Sequence, residues 1–338
     1  MVLLSLLSLG GVVAFVDPYG ISPLAINMRG INIDRVARQN ADMRAFKQID
    51  ILRQQPEVVF IGSSKTNQAI DPEFASIVFG LTVYNAGIDD GRMSEYEYIV
   101  DYILKNDRRI QKIYIELFPR HLLGSGVRMT PQSVGSLVSR YFLSFSAIRD
   151  ALATLRENDY LEETGSRRIS YFSQDGMWRV RDASAPMMND VAAFNGLVNG
   201  AASAGFFSAE LNYPQDISTL MSPVEGIVKR CSMVHVECIF YSVPTHPFEL
   251  ILIQAMNRLE MEKEIRIATA NIAEVRDFSN YPSLAWPDIC QMTDIWINTG
   301  HFSPKFGSLM VSSLAGQNQP EISSEFGAKI AELMLMTG

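Results

Sequence analysis

Gly62-Ser63-Ser64 directly follows Val58–Ile61, an apolar β-branched and aromatic run that reads as a strand. A serine at such a strand-to-helix turn can expose its hydroxyl while its own backbone N–H points at the same spot. Neutral serine is a weak nucleophile and needs a base within hydrogen-bond reach. The chain carries four histidines, His121, His235, His246 and His301, three of which follow expected strand ends. His301 stands in Trp296-Ile297-Asn298-Thr299-Gly300-His301-Phe302-Ser303-Pro304, read as a loop running into a helix, which leaves its ring able to approach a neighbouring strand end. Ser64 with His301 as base is equipment for acyl transfer through a covalent acyl-enzyme.

The elements that must position these residues alternate. Strands are expected at Val58–Ile61, Leu81–Asn85, Lys112–Leu117, Val236–Ser242 and Val275–Phe278. Helices are expected at about Ala37–Arg53, from Pro72 with Asp71 as its cap, through Tyr96–Leu104, over Ile217–Arg230 and Phe248–Met261, and from Pro304. Strands alternating with helices imply βαβ units, and hence an α/β fold with a central parallel sheet covered on both faces. Ligand sites in such sheets lie beyond the carboxyl ends of the strands. Ser64, Asn85–Gly87, Phe118–His121, Pro244–His246 and the loop reaching His301 all follow strand ends, and this convergence says more than any single motif. Between His121 and Tyr213 the pattern changes to a mostly helical insertion, with a helix at Ser144–Glu157 and an Ala-, Gly-, Asn- and Phe-rich stretch at Met187–Leu211.

With 338 residues and a formal net charge of −8, the chain lacks the basic footprint that nucleic-acid binding uses to displace counterions, so nucleic acid is not expected as a partner. Cys231, Cys238 and Cys290 show no metal-ligand spacing and read as small buried hydrophobes. Their odd number allows at most one internal disulfide. Residues 1–16 hold no charge, and 16 mostly apolar residues approach the lower limit for a bilayer span. An uncleaved anchor, a cleaved signal and a buried core helix compete for this segment, and the anchor is the reading adopted. Residues 17–55 then form a juxtamembrane linker, and residues 56–338 the α/β domain, with its insertion at about 122–212.

The motifs resemble the SGNH (GDSL-like) hydrolase superfamily, in particular its membrane-anchored members associated with bacterial exopolysaccharide or capsule synthesis. Phe60-Ile61-Gly62-Ser63-Ser64-Lys65-Thr66 matches the first block, with Ser64 as nucleophile and Ser63 in the place of its aspartate. Tyr84-Asn85-Ala86-Gly87-Ile88-Asp89-Asp90-Gly91 matches the second, in which the Gly87 N–H joins that of Ser64 in the oxyanion hole. Asn298-Thr299-Gly300-His301 occupies the last. Asp17-Pro18-Tyr19-Gly20, Ile70-Asp71-Pro72 and Val243-Pro244-Thr245-His246 resemble the anchored subgroup, and the likeness runs from Val16 to about Leu314 outside the insertion.

Two departures stand out. Asn298 replaces the aspartate that orients the histidine, and it cannot offer a full charge to the imidazolium; Asp294 is an alternative orienting acid. The third block's asparagine is absent from Glu116-Leu117-Phe118-Pro119-Arg120-His121, so Asn85, Asn67 or Arg120 would have to complete the oxyanion hole. Lys65, Arg120 and His246 are expected to line the site. The resemblance implies a flavodoxin-like three-layer fold and an esterase or O-acetyltransferase acting on an extracytoplasmic polysaccharide. It implies no metal or organic cofactor. The partners it implies are an acylated sugar, the membrane and proteins of a polysaccharide-synthesis complex, with the domain on the periplasmic side. The departures keep a second reading open, that of a non-catalytic scaffold or glycan-binding protein of the same fold.

Overall fold

The computed structural model describes residues 2–22, 28–32, 43–122, 141–164, 171–173, 175–179, 217–246, 249–250, 253–254, 258–279, 296–298, 300–317 and 328–329. They fall into two compact units: Met1–Gln54 with Arg128–Asp182, and Gln55–Val127 with Ala183–Gly338. The helices are α1 (Val2–Val16), α2 (Met43–Gln54), α3 (Ser64–Ala69), α4 (Pro72–Phe79), α5 (Met93–Asn106), α6 (Phe145–Thr164), α7 (Ile217–Val234), α8 (Leu259–Ala270) and α9 (Pro304–Leu314). The strands are β1 (Val58–Ile61), β2 (Val83–Asn85), β3 (Lys112–Glu116), β4 (Tyr171–Phe172), β5 (Trp178–Arg179), β6 (Glu237–Ser242), β7 (Glu274–Asp277), β8 (Trp296–Asn298), β9 (His301–Phe302) and β10 (Ala328–Lys329).

The second unit is built on one sheet in the order β10-β7-β6-β3-β1-β2, parallel throughout except for β10. β1 is buried end to end because both faces of a parallel sheet are covered. By strand alternation Val58 and Phe60 face one way and Val59 and Ile61 the other. Val58 and Phe60 join Tyr114, Tyr241, Ala75, Met310 and Val311 in a core beneath α4 and α9. On the other side α7 packs against both α5 and α8. The expected three-layer arrangement, helices on both faces of a mostly parallel sheet, is what the structure has.

Local chemistry sets the ends of the helices. Asp71 Oδ1 accepts the N–H groups of Glu73 and Phe74, and Pro72 supplies the first helical position of α4, as its sequence predicts. Ser303 Oγ accepts the Phe306 N–H ahead of α9. The helix expected over Phe248–Met261 is a correction. Residues 249–250 and 253–254 are helical and α8 covers Leu259–Ala270, while 247–248, 251–252 and 255–257 lie outside the described residues. α8 buries Glu262, Ile265 and Thr269, so polar residues sit on its inner face and blur the apolar periodicity. Cys231 and Cys238, expected as separate buried hydrophobes, are joined by a disulfide between the end of α7 and the start of β6.

In the first unit Val13, Val16, Tyr19, Phe46, Tyr141, Ala147 and Ala151 form a core. Asp17 is buried and its Oδ1 accepts the N–H groups of Ile21 and Ser22, closing the Asp-Pro-Tyr-Gly turn, while Tyr19 Oη donates to Asp150 Oδ2 at 2.5 Å. The stretch expected as a linker thus holds this turn and α2, whose Phe46 and Ile51 are buried. The membrane helix expected at residues 1–16 falls on α1. α1 has 15 residues, about 22 Å at ~1.5 Å per residue against a hydrocarbon core of ~30 Å. Among the described residues no helix is long and apolar enough to cross a membrane. The described part of the insertion comprises α6 and the β4–β5 hairpin; Met187–Leu211 lies outside the described residues.

Candidate active site

β1 enters the sheet between β2 and β3, the point where the strand order reverses and where an open α/β sheet leaves a crevice. The chain leaves β1 through Gly62. A Cβ there would collide with Thr66 Oγ1 and the Glu116 carboxylate, so the turn is open only to glycine. Ser63 is the N-cap of α3, its Oγ accepting the Lys65 N–H at 3.1 Å. Ser64 follows as the first helical residue, half-buried, with a backbone N–H from the orphan set of a helix start.

His301 comes from a two-stranded antiparallel ribbon, not from the plain loop that its sequence suggests. β8 and β9 pair Trp296 with Phe302 and Asn298 with His301. The ribbon leads straight into α9, and at Gly307 that helix lies so close to α3 that a Cβ would strike Ala69 O. The two elements carrying the expected base and nucleophile are therefore locked together. His301 Nε2 lies 2.9 Å from Ser64 Oγ. Burial lowers the His301 pKa to about 4; the Lys65 ammonium pushes the same way, and Glu249 and Glu116 oppose it. The imidazole is thus neutral at pH 7. With its proton on Nδ1 it presents Nε2 as an acceptor to the serine hydroxyl.

The other expected residues are placed differently. The Gly87 N–H, expected in the oxyanion hole, donates to Asn85 Oδ1 at 2.9 Å. Asn85 Nδ2 donates at 2.8 Å to both Thr66 O and Ile70 O. The Asn85 amide thus binds the β2 end to α3, where a Cβ on Gly87 would come within 2.6 Å of Asn67 N. Asn67 Nδ2 makes a long 3.5 Å contact to Asp89 Oδ1. Lys65 is adjacent to the pair but buried, its Nζ 3.0 Å from Glu249 Oε2 and 4.2 Å from the centre of the Phe118 ring. His246 is also buried. It meets Trp296 edge-on with ring centres 4.9 Å apart, so it braces the ribbon and does not line an open cleft. Asp294 lies outside the described residues, as do the side chains of Arg120 and Asn298.

Sequence reasoning passed over Glu116, the last residue of β3. It is fully buried and accepts from Ser63 N, Ser63 Oγ and Thr66 Oγ1 at 2.8, 2.8 and 2.5 Å. An acidic residue closing the apolar run Ile113-Tyr114-Ile115 is its only signal. Glu262 of α8 was missed too. Burial raises its pKa to about 7, with Arg266 the largest opposing influence, Glu249 reinforcing the rise, and Lys65 and Arg258 opposing it.

Taken together, the fold and site define an α/β domain that presents a serine–histidine pair in its sheet crevice. No known family model and no curated protein matches the chain.

Proposed function

We propose that the chain is an SGNH-like serine esterase or O-acetyltransferase that acts on acyl groups, acetyl above all, of an extracytoplasmic polysaccharide. The observation that carries the reading is the 2.9 Å contact between Ser64 Oγ and His301 Nε2 in the crevice of a doubly wound sheet. His301 takes the proton as Ser64 attacks the ester carbonyl, then returns it to the departing alkoxide; water or a sugar hydroxyl afterwards accepts the acyl group. In this reading the Ser64 N–H serves as the oxyanion donor. The strand order 2-1-3 followed by β6 and β7 supports the flavodoxin-like assignment. The Cys231–Cys238 disulfide supports an oxidising, extracytoplasmic setting, since such bonds persist there and are rare in the cytosol.

One observation favours the second reading, a scaffold or glycan-binding protein with the same fold. The Gly87 N–H is already spent on Asn85, and a missing oxyanion donor costs about 10²–10³ in rate. Treating the full chain with a fluorophosphonate probe and reading intact mass decides between the two. Stoichiometric labelling that vanishes in Ser64→Ala supports the enzyme; no labelling of folded protein from pH 5 to 9 supports the scaffold.

A further inference from the structure

Glu116 is fully buried at the carboxyl end of β3, and its carboxylate receives three donors from the turn that carries Ser64. Ser63 N reaches Oε2 and Ser63 Oγ reaches Oε1, each at 2.8 Å, while Thr66 Oγ1 donates to Oε2 at 2.5 Å. Tyr241 Oη from β6 lies 2.7 Å from Thr66 Oγ1. Since the threonine hydroxyl gives its proton to Glu116, the tyrosine is the donor in that pair. Burial and the Glu116 charge both raise the Tyr241 pKa, which keeps that proton in place. A chain of bonds thus runs from β6 through α3 to β3, and it grips the residues on both sides of Ser64 without touching Ser64 itself. Gly62 leaves room for it, because a Cβ there would occupy the seat of the carboxylate.

A charge this deep needs a compensating purpose, because a buried carboxylate with its partners removed is strongly destabilising. What the carboxylate adds is a rigid, two-point seat for Ser63 and a negative charge beside the crevice that favours the charged form of His301. We infer that Glu116 is the positioning residue of this site: through Ser63 and Thr66 it holds the Ser64 hydroxyl on His301 Nε2, and through its charge it supports the imidazolium that forms as the serine attacks. The inference rests on the acyl-transfer reading above. It also assigns to the end of the third strand a task other than supplying an oxyanion donor.

The test measures the second-order rate of fluorophosphonate labelling of the full chain against pH for wild type, Glu116→Gln, Thr66→Val and Ser63→Ala. The groups acting on His301 are Lys65, Glu249 and Glu116; those facing Glu116 are Ser63, Thr66 and Tyr241. Glu116→Gln keeps the shape and loses the charge. It is expected to slow labelling about 10–100-fold, the scale set by a misplaced reacting atom. It is also expected to move the acid midpoint of the profile downwards, because one carboxylate that favours His301 protonation is gone. Folded Glu116→Gln labelling at the wild-type rate with an unmoved midpoint would overturn the inference. So would slower labelling with an unmoved midpoint and a lower Tm, which marks a structural part alone. If Glu116→Gln does not fold, Thr66→Val and Ser63→Ala decide, and wild-type rates in both overturn the proposal. Should wild type itself not label, the nucleophile is absent and the acyl-transfer reading falls first, taking this role with it.

Discussion

Ser64 Oγ and His301 Nε2 sit 2.9 Å apart although 237 residues separate them along the chain. The contact exists because α3 and the β8–β9 ribbon are each tied to α9, α3 through the close approach of Ala69 and Gly307, the ribbon through direct continuity. If this pair performs acyl transfer, His301→Gln should lower the rate of fluorophosphonate labelling by about 10²–10⁴, the usual contribution of a general base. A rate unchanged from wild type would show that the contact is passive.

The low pKa of His301 fixes the shape of a pH profile. The imidazole is neutral above about 4, so labelling should stay level from pH 8 down to about 5 and fall only below that. An acid limb centred near 6.5 instead would mean that the ring is solvated. The same shift carries a stability signature. The folded value lies below the ordinary 6.5, so between 6.5 and 4 the unfolded chain binds more protons and the fold loses stability as pH falls. Urea melts of wild type and His301→Gln at pH 7 and 4.5 should show this loss reduced in the variant.

Glu262 gives the opposite slope. Its folded value, about 7, lies above the ordinary 4.5, so the proton stabilises the fold below 4.5 and that contribution disappears as pH rises through 7. Glu262→Gln should therefore stabilise the protein at pH 8 by about 1–3 kcal/mol, each pKa unit being worth ~1.4 kcal/mol before relaxation. It should leave stability at pH 4.5 nearly unchanged. Equal shifts at both pH values would refute the assignment.

Gly307→Ala places a methyl group against Ala69 O, where nothing can give except the backbone of α3. A loss of about 1–3 kcal/mol is expected from overpacking, together with slower labelling, because the strain falls on the helix that begins with Ser64. Wild-type labelling in a destabilised Gly307→Ala would separate the helix contact from the site.

Cys231→Ser should lower stability by about 2 kcal/mol, the entropy returned to the unfolded chain by opening a short loop. Labelling of Ser64 should not change. Cys238 lies at the start of β6, opposite Ile113 near the start of β3, whereas Ser64 follows the far end of β1. Intact mass under non-reducing conditions, with thiol alkylation, reports the bond directly.

Much of the fold could be read from local signals, and the reasons are physical. β1 is legible because a strand covered on both faces must be apolar without interruption. α4 is legible because Asp71-Pro72 and Gly80 are the residues that its two ends require. Strand–helix alternation then leaves few topologies besides a parallel sheet. α8 and β10 were not legible: one hides Glu262 and Thr269 on its inner face, and the other has two residues and is held by pairing with Arg276 and Asp277.

The candidate site divides along the same line. The amino-acid sequence alone determined that Ser64 would end a strand and open a helix, because Gly62 and Ser63 are the turn and cap residues such a junction demands. It also determined that His301 would stand just before a helix begun by Ser303 and Pro304. Only the tertiary structure decided that these two meet, that Gly87 spends its N–H on Asn85 while Asn85 spends its amide on α3, and that Glu116 seats the turn from beneath. Turn and cap chemistry acts over a few residues and is written in residue types. The direction of a hydrogen bond across a sheet depends on which strand ends are neighbours, and the order of β2, β1 and β3 is set by packing the whole domain.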